Sequence, residues 1–128
     1  MNNLEIKKIK KVYNNKLVLN EVSFKVKPGE FLSILGPSGC GKTTLLKILI
    51  GIETPSDGTI LKDGNDITNL DPSFRGMGMV FQNYALFPNM TVLENVTYAL
   101  NLKLKDKEKA KKEALKMIKV VNMEEHLN

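Results

Sequence analysis

The sequence predicts an α/β fold, and three neighbouring observations predict it. Phe31-Leu32-Ser33-Ile34-Leu35 is a short apolar run of the kind that forms a buried strand. It leads into Gly36-Pro37-Ser38-Gly39-Cys40-Gly41-Lys42-Thr43-Thr44, which fits the pattern G-x-x-x-x-G-K-[ST]. Leu45-Leu46-Lys47-Ile48-Leu49-Ile50 follows, apolar at helical spacing, with Gly51 as its C-cap. Strand, glycine loop and helix in that order mark a phosphate-binding loop.

Residues 4 to 13 alternate loosely, with Leu4, Ile6 and Ile9 among lysines, and read as a strand closed by Tyr13. Asn14-Asn15 is a turn signal. Val22, Phe24 and Val26 alternate with Ser23, Lys25 and Lys27, a strand with one wet face, and Pro28-Gly29 turns the chain back. In the loop, Gly36, Gly39 and Gly41 permit backbone conformations closed to other residues and let phosphate oxygens approach. The loop N–H groups then form an anion nest at the positive end of the helix. Lys42 adds a mobile charge for the β- and γ-phosphates, and the Thr43 hydroxyl can bind Mg²⁺.

Beyond Gly51, Glu53-Thr54-Pro55-Ser56-Asp57-Gly58 is rich in breakers, Thr59-Ile60-Leu61 is a short strand, and Asp63-Gly64 turns tightly towards Ile67. Met77 to Phe81 reads as a second buried strand ending at Gln82. Asn83 to Met90 is irregular and unusually apolar. Thr91-Val92-Leu93-Glu94 fits a capping box and opens a helix through about Lys103. Asp106 caps a last helix, roughly 107 to 121, with Ala110, Ala114, Ile118 and Val121 on one face.

The chain of 128 residues is long enough for one domain with a modest core, and its 42% hydrophobic and 26% charged content is that of a soluble globular protein. The net charge of +5 comes almost wholly from lysine, since Arg75 is the only arginine. With no tryptophan and no arginine forks, a lysine-rich solvated surface is the simpler reading than a nucleic-acid site; attraction to an anionic membrane surface stays open. Cys40 is the only cysteine and His126 the only histidine, so neither an internal disulfide nor a zinc site is expected. Cys40, at a helix N-terminus, reads either as a reactive thiol or, more simply, as a small residue tolerated there. The first residues lack the apolar core of a signal peptide, and no apolar run approaches ~20 residues, so a reducing cytoplasmic setting is the default expectation.

The order of these motifs resembles the ATP-binding subunit of an ATP-binding-cassette (ABC) transporter. The string Gly76-Met77-Gly78-Met79-Val80-Phe81-Gln82-Asn83-Tyr84-Ala85-Leu86-Phe87-Pro88, continuing through Asn89-Met90-Thr91-Val92-Leu93-Glu94-Asn95-Val96, is similar to that family's Q-loop region. It is most like importer subunits serving sugars, polyamines, sulfate or ferric iron. The resemblance implies an incomplete P-loop NTPase (RecA-like) core with an antiparallel β subdomain and the start of a helical subdomain. Residues 1–82 would form the β subdomain and half of the P-loop core, and residues 83–128 the Q-loop and the start of the helical subdomain.

The resemblance also implies roles. Tyr13 stacks on adenine and Val18 touches the nucleotide's sugar and base. Residues Gly36 to Thr44 hold the phosphates of ATP. Thr43 and Gln82 hold Mg²⁺, and Lys42 and Gln82 are the only residues of the reaction centre in this stretch. A carboxamide suits Gln82 because it offers a donor and an acceptor without a fixed charge. Tyr84-Ala85-Leu86-Phe87-Pro88 meets the permease, since apolar loop residues are costly to leave wet; packing inside the domain is the alternative. The implied partners are nucleotide, the membrane-embedded permease subunits and a second ATP-binding subunit, with no nucleic acid. The implied location is cytoplasmic, peripheral on the inner face of the cell membrane.

Four family features lie beyond the residues seen here: the Leu-Ser-Gly-Gly-Gln signature, the Mg²⁺-orienting aspartate, the catalytic glutamate and the switch histidine. Glu124-Glu125-His126 does not replace them, because no apolar strand precedes it. The expectation is the N-terminal half of a longer subunit, able by itself to bind nucleotide weakly and to hydrolyse it negligibly. Its buried-type strands would have open edges that invite association. A non-transport ABC ATPase, or a binding or interaction module without turnover, are the alternatives.

Overall fold

The computed structural model describes residues 3–127. They form two compact units that divide between Met79 and Val80.

The first unit is a four-stranded antiparallel sheet with one helix. Strands β1 (Leu4–Tyr13), β2 (Lys16–Val26), β3 (Asp57–Lys62) and β4 (Asn65–Asp66) are ordered β2-β1-β3-β4. The β1–β2 hairpin turns at Asn14 and Asn15, whose φ values of 45° and 63° suit a two-residue turn that follows the strand twist. Strand β1 does not keep a strict two-residue period. Its register shifts between Ile6 and Ile9, where Lys8 has φ 49°, and both isoleucines reach the interior. A bulge inserts one residue and returns the next apolar side chain to the same face. Beyond it, Lys11 and then Tyr13 follow Ile9 at alternate positions.

Helix α1 (Lys42–Ile50) supplies Leu45, Ile48 and Leu49 to one apolar cluster with Ile6, Ile9, Leu19, Ile60 and Ile67. It ends as the sequence predicts: Gly51 takes φ 90° and its N–H reaches the carbonyls of Lys47 and Ile48. A single 3-10 turn, Pro72–Phe74, is capped by Asp71.

Two predicted strands do not form. Phe31 to Leu35 and Met77 to Phe81 have no ladder partner among the described residues. Phe31 is 92% exposed, Leu35 91% and Val80 87%. An apolar run becomes a buried strand only where neighbouring strands take up its N–H and C=O groups. These segments lack such neighbours here.

The second unit pairs helices α2 (Val92–Leu104) and α3 (Lys107–Val120). The Thr91 hydroxyl accepts from the Glu94 N–H while the Glu94 carboxylate accepts from the Thr91 N–H, so the predicted capping box is complete. Asp106 caps α3 through the Lys109 N–H. Ala110, Ala114 and Ile118 are buried, and the lysines of α3 face solvent. Val121, expected on the buried face, lies past the last helical turn and is exposed. Glu124–His126 is a 3-10 turn at the helix exit.

Candidate functional site

The glycine loop ends directly in α1. Gly41 is the N-cap with φ 97°, a conformation that L side chains resist, and a Cβ there would lie 2.8 Å from Leu19 Cδ2 and 3.1 Å from the Val18 carbonyl. Glycine therefore lets the start of α1 approach β2 and leaves that start without a side-chain cap. No acidic residue stands in the first turn. The first N–H groups of a helix have no intrahelical partner, so an uncapped, acid-free start is suited to an anion.

The Lys42 ammonium curls back into this loop. It donates to the carbonyls of Gly36 at 2.6 Å and Pro37 at 2.7 Å, with Cys40 Sγ at 3.5 Å. Neutral carbonyls orient an ammonium without cancelling its charge, so the loop keeps a net positive centre. The Cys40 N–H donates to the Pro37 carbonyl at 3.3 Å and closes the turn. The exposed Thr43 hydroxyl follows directly, in the first turn of α1. Cation, uncapped helix start and hydroxyl together fit a polyphosphate with a divalent ion.

Tyr13 ends β1 and is 38% exposed. Lys11 Nζ lies 4.7 Å from the centre of its ring. Burial, followed by the Glu53 carboxylate, holds the phenol above its ordinary pKa, while the Thr44 hydroxyl acts in the opposite direction. Glu53 itself is held below the usual carboxylate range, first by hydrogen bonding from Lys11 and then by Tyr13. Val18 is half-buried against the cluster that holds α1, and its carbonyl and Cγ1 border Gly41. Tyr13, Val18 and the loop thus gather in one unit.

Gln82 belongs to the other unit, exposed in the turn before α2. There, Tyr84 and Ala85 take φ values of 62° and 48°. Tyr84 is 75% and Leu86 69% exposed. Leu86, Phe87, Pro88 and Met90 border an apolar groove of about 380 Å³. The Phe87 ring packs on Tyr98 with centroids 4.6 Å apart.

Three sets of residues escaped the sequence reading. Lys11 and Glu53 form an ion pair of 2.7 Å beneath Tyr13. Arg75 is almost wholly buried and donates to four backbone carbonyls. Asn95 accepts from the Phe87 N–H and donates to the carbonyls of Phe87, Met90 and Thr91, which fixes the apolar loop. The one available signal was Arg75 itself, a lone arginine in a lysine-rich chain.

A glycine loop closed by its own lysine, at the start of a helix packed on a sheet, defines a P-loop nucleotide-binding protein. Comparison with known proteins narrows the class. The family profile for ABC transporters matches residues 19–128, and the chain belongs to that family. It is 48% identical over 118 residues to the spermidine/putrescine import ATP-binding protein PotA of Protochlamydia amoebophila, covering 92% of this chain and 32% of the relative. Against the protein of the same name from Thermotoga maritima it is 45% identical, covering 96% and 33%. The chain thus spans about a third of the length of these relatives. Among solved structures, the dimeric ATP-binding cassette MJ0796 with ADP and phosphate superposes with a TM-score of 0.86 at 33% identity, covering 98% of this chain and 60% of that one.

Proposed function

We propose that this chain is the nucleotide-binding part of an ATP-driven import subunit. The observation that carries the proposal is the Lys42 ammonium, held by the Gly36 and Pro37 carbonyls at the uncapped, acid-free start of α1. Lys42 and the loop from Gly36 to Thr44 hold the phosphates of ATP, and Tyr13 and Val18 border its base and sugar. Thr43 and Gln82 are the residues for Mg²⁺, which when bound neutralises charge on the phosphate oxygens. The role of Gln82 is carried by the sequence pattern around it. The exposed apolar residues of Tyr84–Pro88 face the permease. The working assembly contains a second ATP-binding subunit and is peripheral on the inner face of the cell membrane. Among the described residues no helix is long and apolar enough to cross a membrane. The imported solute is a polyamine, as the names of the relatives indicate for those proteins.

The test is MgATP binding to the complete gene product by titration calorimetry, with Lys42→Ala as the comparison. The expected loss is about tenfold or more, the worth of a charge-assisted hydrogen bond. Equal affinity in both would overturn the phosphate assignment. Uptake of labelled spermidine in cells lacking the gene tests the solute: unchanged uptake would overturn the polyamine part alone.

A further inference from the structure

The end of β1 carries a second charged arrangement beside the glycine loop. Lys11 is 9% exposed although it is a lysine in a strand. Its ammonium donates to Glu53 Oε1 at 2.7 Å and to the Thr54 carbonyl, and lies over the Tyr13 ring. Lysine has three N–H donors, so two are engaged and the aromatic face is the remaining neighbour. Glu53 and Thr54 follow the C-terminal end of α1, with one residue between Gly51 and Glu53. The Glu53 N–H donates to the Lys47 carbonyl at 3.2 Å. The same segment is fastened to β1 by the Ser56 N–H on the Lys10 carbonyl, 2.8 Å, and the Val12 N–H on Ser56 Oγ, 3.0 Å. Glu53, paired with Lys11, thus follows α1 on the side where β1 ends at Tyr13.

These contacts fix the cation that lies against the ring. Lys11 occupies one face. One aromatic face remains for a flat ligand, and the ring does not have to be ordered when that ligand arrives. A cation on one face also draws π density towards itself, which favours an electron-rich ring on the other.

We propose that Lys11 and Glu53 are positioning residues for the nucleotide base: they hold the Tyr13 ring against the P-loop helix with one face blocked, so that a purine stacks on the other. The proposal rests on the reading that Tyr13 meets the base. Neither residue touches the phosphates.

The complete gene product is titrated with ATP and, separately, with inorganic triphosphate, both with Mg²⁺. Lys11→Met keeps the aliphatic stem and removes the cation. It is expected to weaken ATP by about fivefold to tenfold, the cost of ordering one side chain on binding, and to leave triphosphate affinity unchanged. Lys11→Arg keeps a cation and should recover most of the loss. Should the methionine variant fail to fold, Lys11→Gln retains a donor for Glu53 and Thr54 without the charge, and the same pattern is expected. Equal weakening of ATP and triphosphate would mean a merely structural role and would overturn the proposal. Wild-type ATP affinity in Lys11→Met (or, in its place, Lys11→Gln), alongside a loss in Tyr13→Ala, would overturn the proposal and leave the Tyr13 reading standing. Wild-type ATP affinity in Tyr13→Ala would overturn both.

Discussion

Arg75 Nη1 donates to the Leu49 carbonyl at 3.0 Å, at the C-terminal end of the helix that follows the glycine loop. The same guanidinium reaches the carbonyls of Ile48, Leu70 and Thr68. The last carbonyls of a helix lack intrahelical partners, and a cation there also opposes the helix dipole's negative end. Burial lowers the Arg75 pKa, with the Asp71 carboxylate acting against it. Arginine remains charged under such a shift. Arg75→Met should therefore cost about 3 kcal/mol, because it leaves buried carbonyls without donors. Arg75→Lys should recover less than half, since a point donor cannot span four carbonyls. Urea midpoints of the two variants check this; a loss in Arg75→Met below about 1 kcal/mol would contradict it.

Gly51 is coupled to that arginine. Its φ is 90°, and a Cβ would lie 2.5 Å from Arg75 Nε and 2.8 Å from Cζ. Gly51→Ala should lose about 1–2 kcal/mol from the backbone conformation alone and more from displacement of the guanidinium. In Arg75→Met the second part has already gone. A double-mutant cycle should then show the pair costing less than the sum of the single changes. Strict additivity would mean that the alanine methyl does not disturb the arginine.

Lys42→Ala separates binding from folding. Lys42 bonds only to loop carbonyls and Cys40, and it contributes nothing to the apolar cluster. Its removal should change the urea midpoint by no more than the equivalent of about 0.5 kcal/mol, the range of substitutions outside a core. Nucleotide affinity should still fall as stated above. A large stability loss would make the ammonium a structural clasp of the loop.

What could be read in the sequence was local. The glycine loop, the Gly51 cap, the Thr91 capping box and the Asp106 cap each depend on residues within a few positions, and each forms. What could not be read depends on distant partners. Phe31 to Leu35 signals burial but not which strands would flank it, and among the described residues none does. Lys11 looks like its neighbours Lys7, Lys8 and Lys10 until the bulge at Lys8 brings it to the interior face, where Glu53 meets it. The glycine loop of the candidate site was legible for the same local reason, and the ion pair beneath Tyr13 was not.

Acid should weaken the first unit through its carboxylates of lowered pKa, Glu5, Glu53, Asp66 and Asp71, of which the two aspartates can be removed without breaking an ion pair. Asp66 is held below its ordinary value of 3.8 by the Thr68 hydroxyl and N–H, and Asp71 likewise by those of Ser73. A carboxyl with a lowered folded pKa binds fewer protons folded than unfolded. Its contribution is complete above the ordinary value and is lost as pH falls through the folded value. The melting temperature should thus decline below about pH 4. Asp66→Asn and Asp71→Asn should each make that decline shallower. An unchanged acid limb in the double variant would assign the loss to other groups.

Asn95 offers the sharpest test in the second unit, because its two ends do different work. Oδ1 accepts from the Phe87 N–H at 2.9 Å, while Nδ2 donates to the carbonyls of Phe87 at 3.2 Å, Met90 at 3.0 Å and Thr91 at 3.0 Å. Asn95→Ala removes both ends and should speed hydrogen exchange at the Phe87 amide, with helix α2 kept by its capping box. Asn95→Asp is nearly the same shape and retains the acceptor. It also turns a second oxygen towards three carbonyls, so at neutral pH it should disturb the loop at least as much as alanine. Lowering the pH until the aspartate is protonated restores one donor and should slow the exchange again, after allowance for the intrinsic pH dependence measured on a neighbouring exposed amide. If the aspartate variant protects Phe87 as well as asparagine does at neutral pH, the Nδ2 bonds do not order the loop, and the exposed set around Tyr84 and Leu86 is held by the packing of Phe87 on Tyr98 instead.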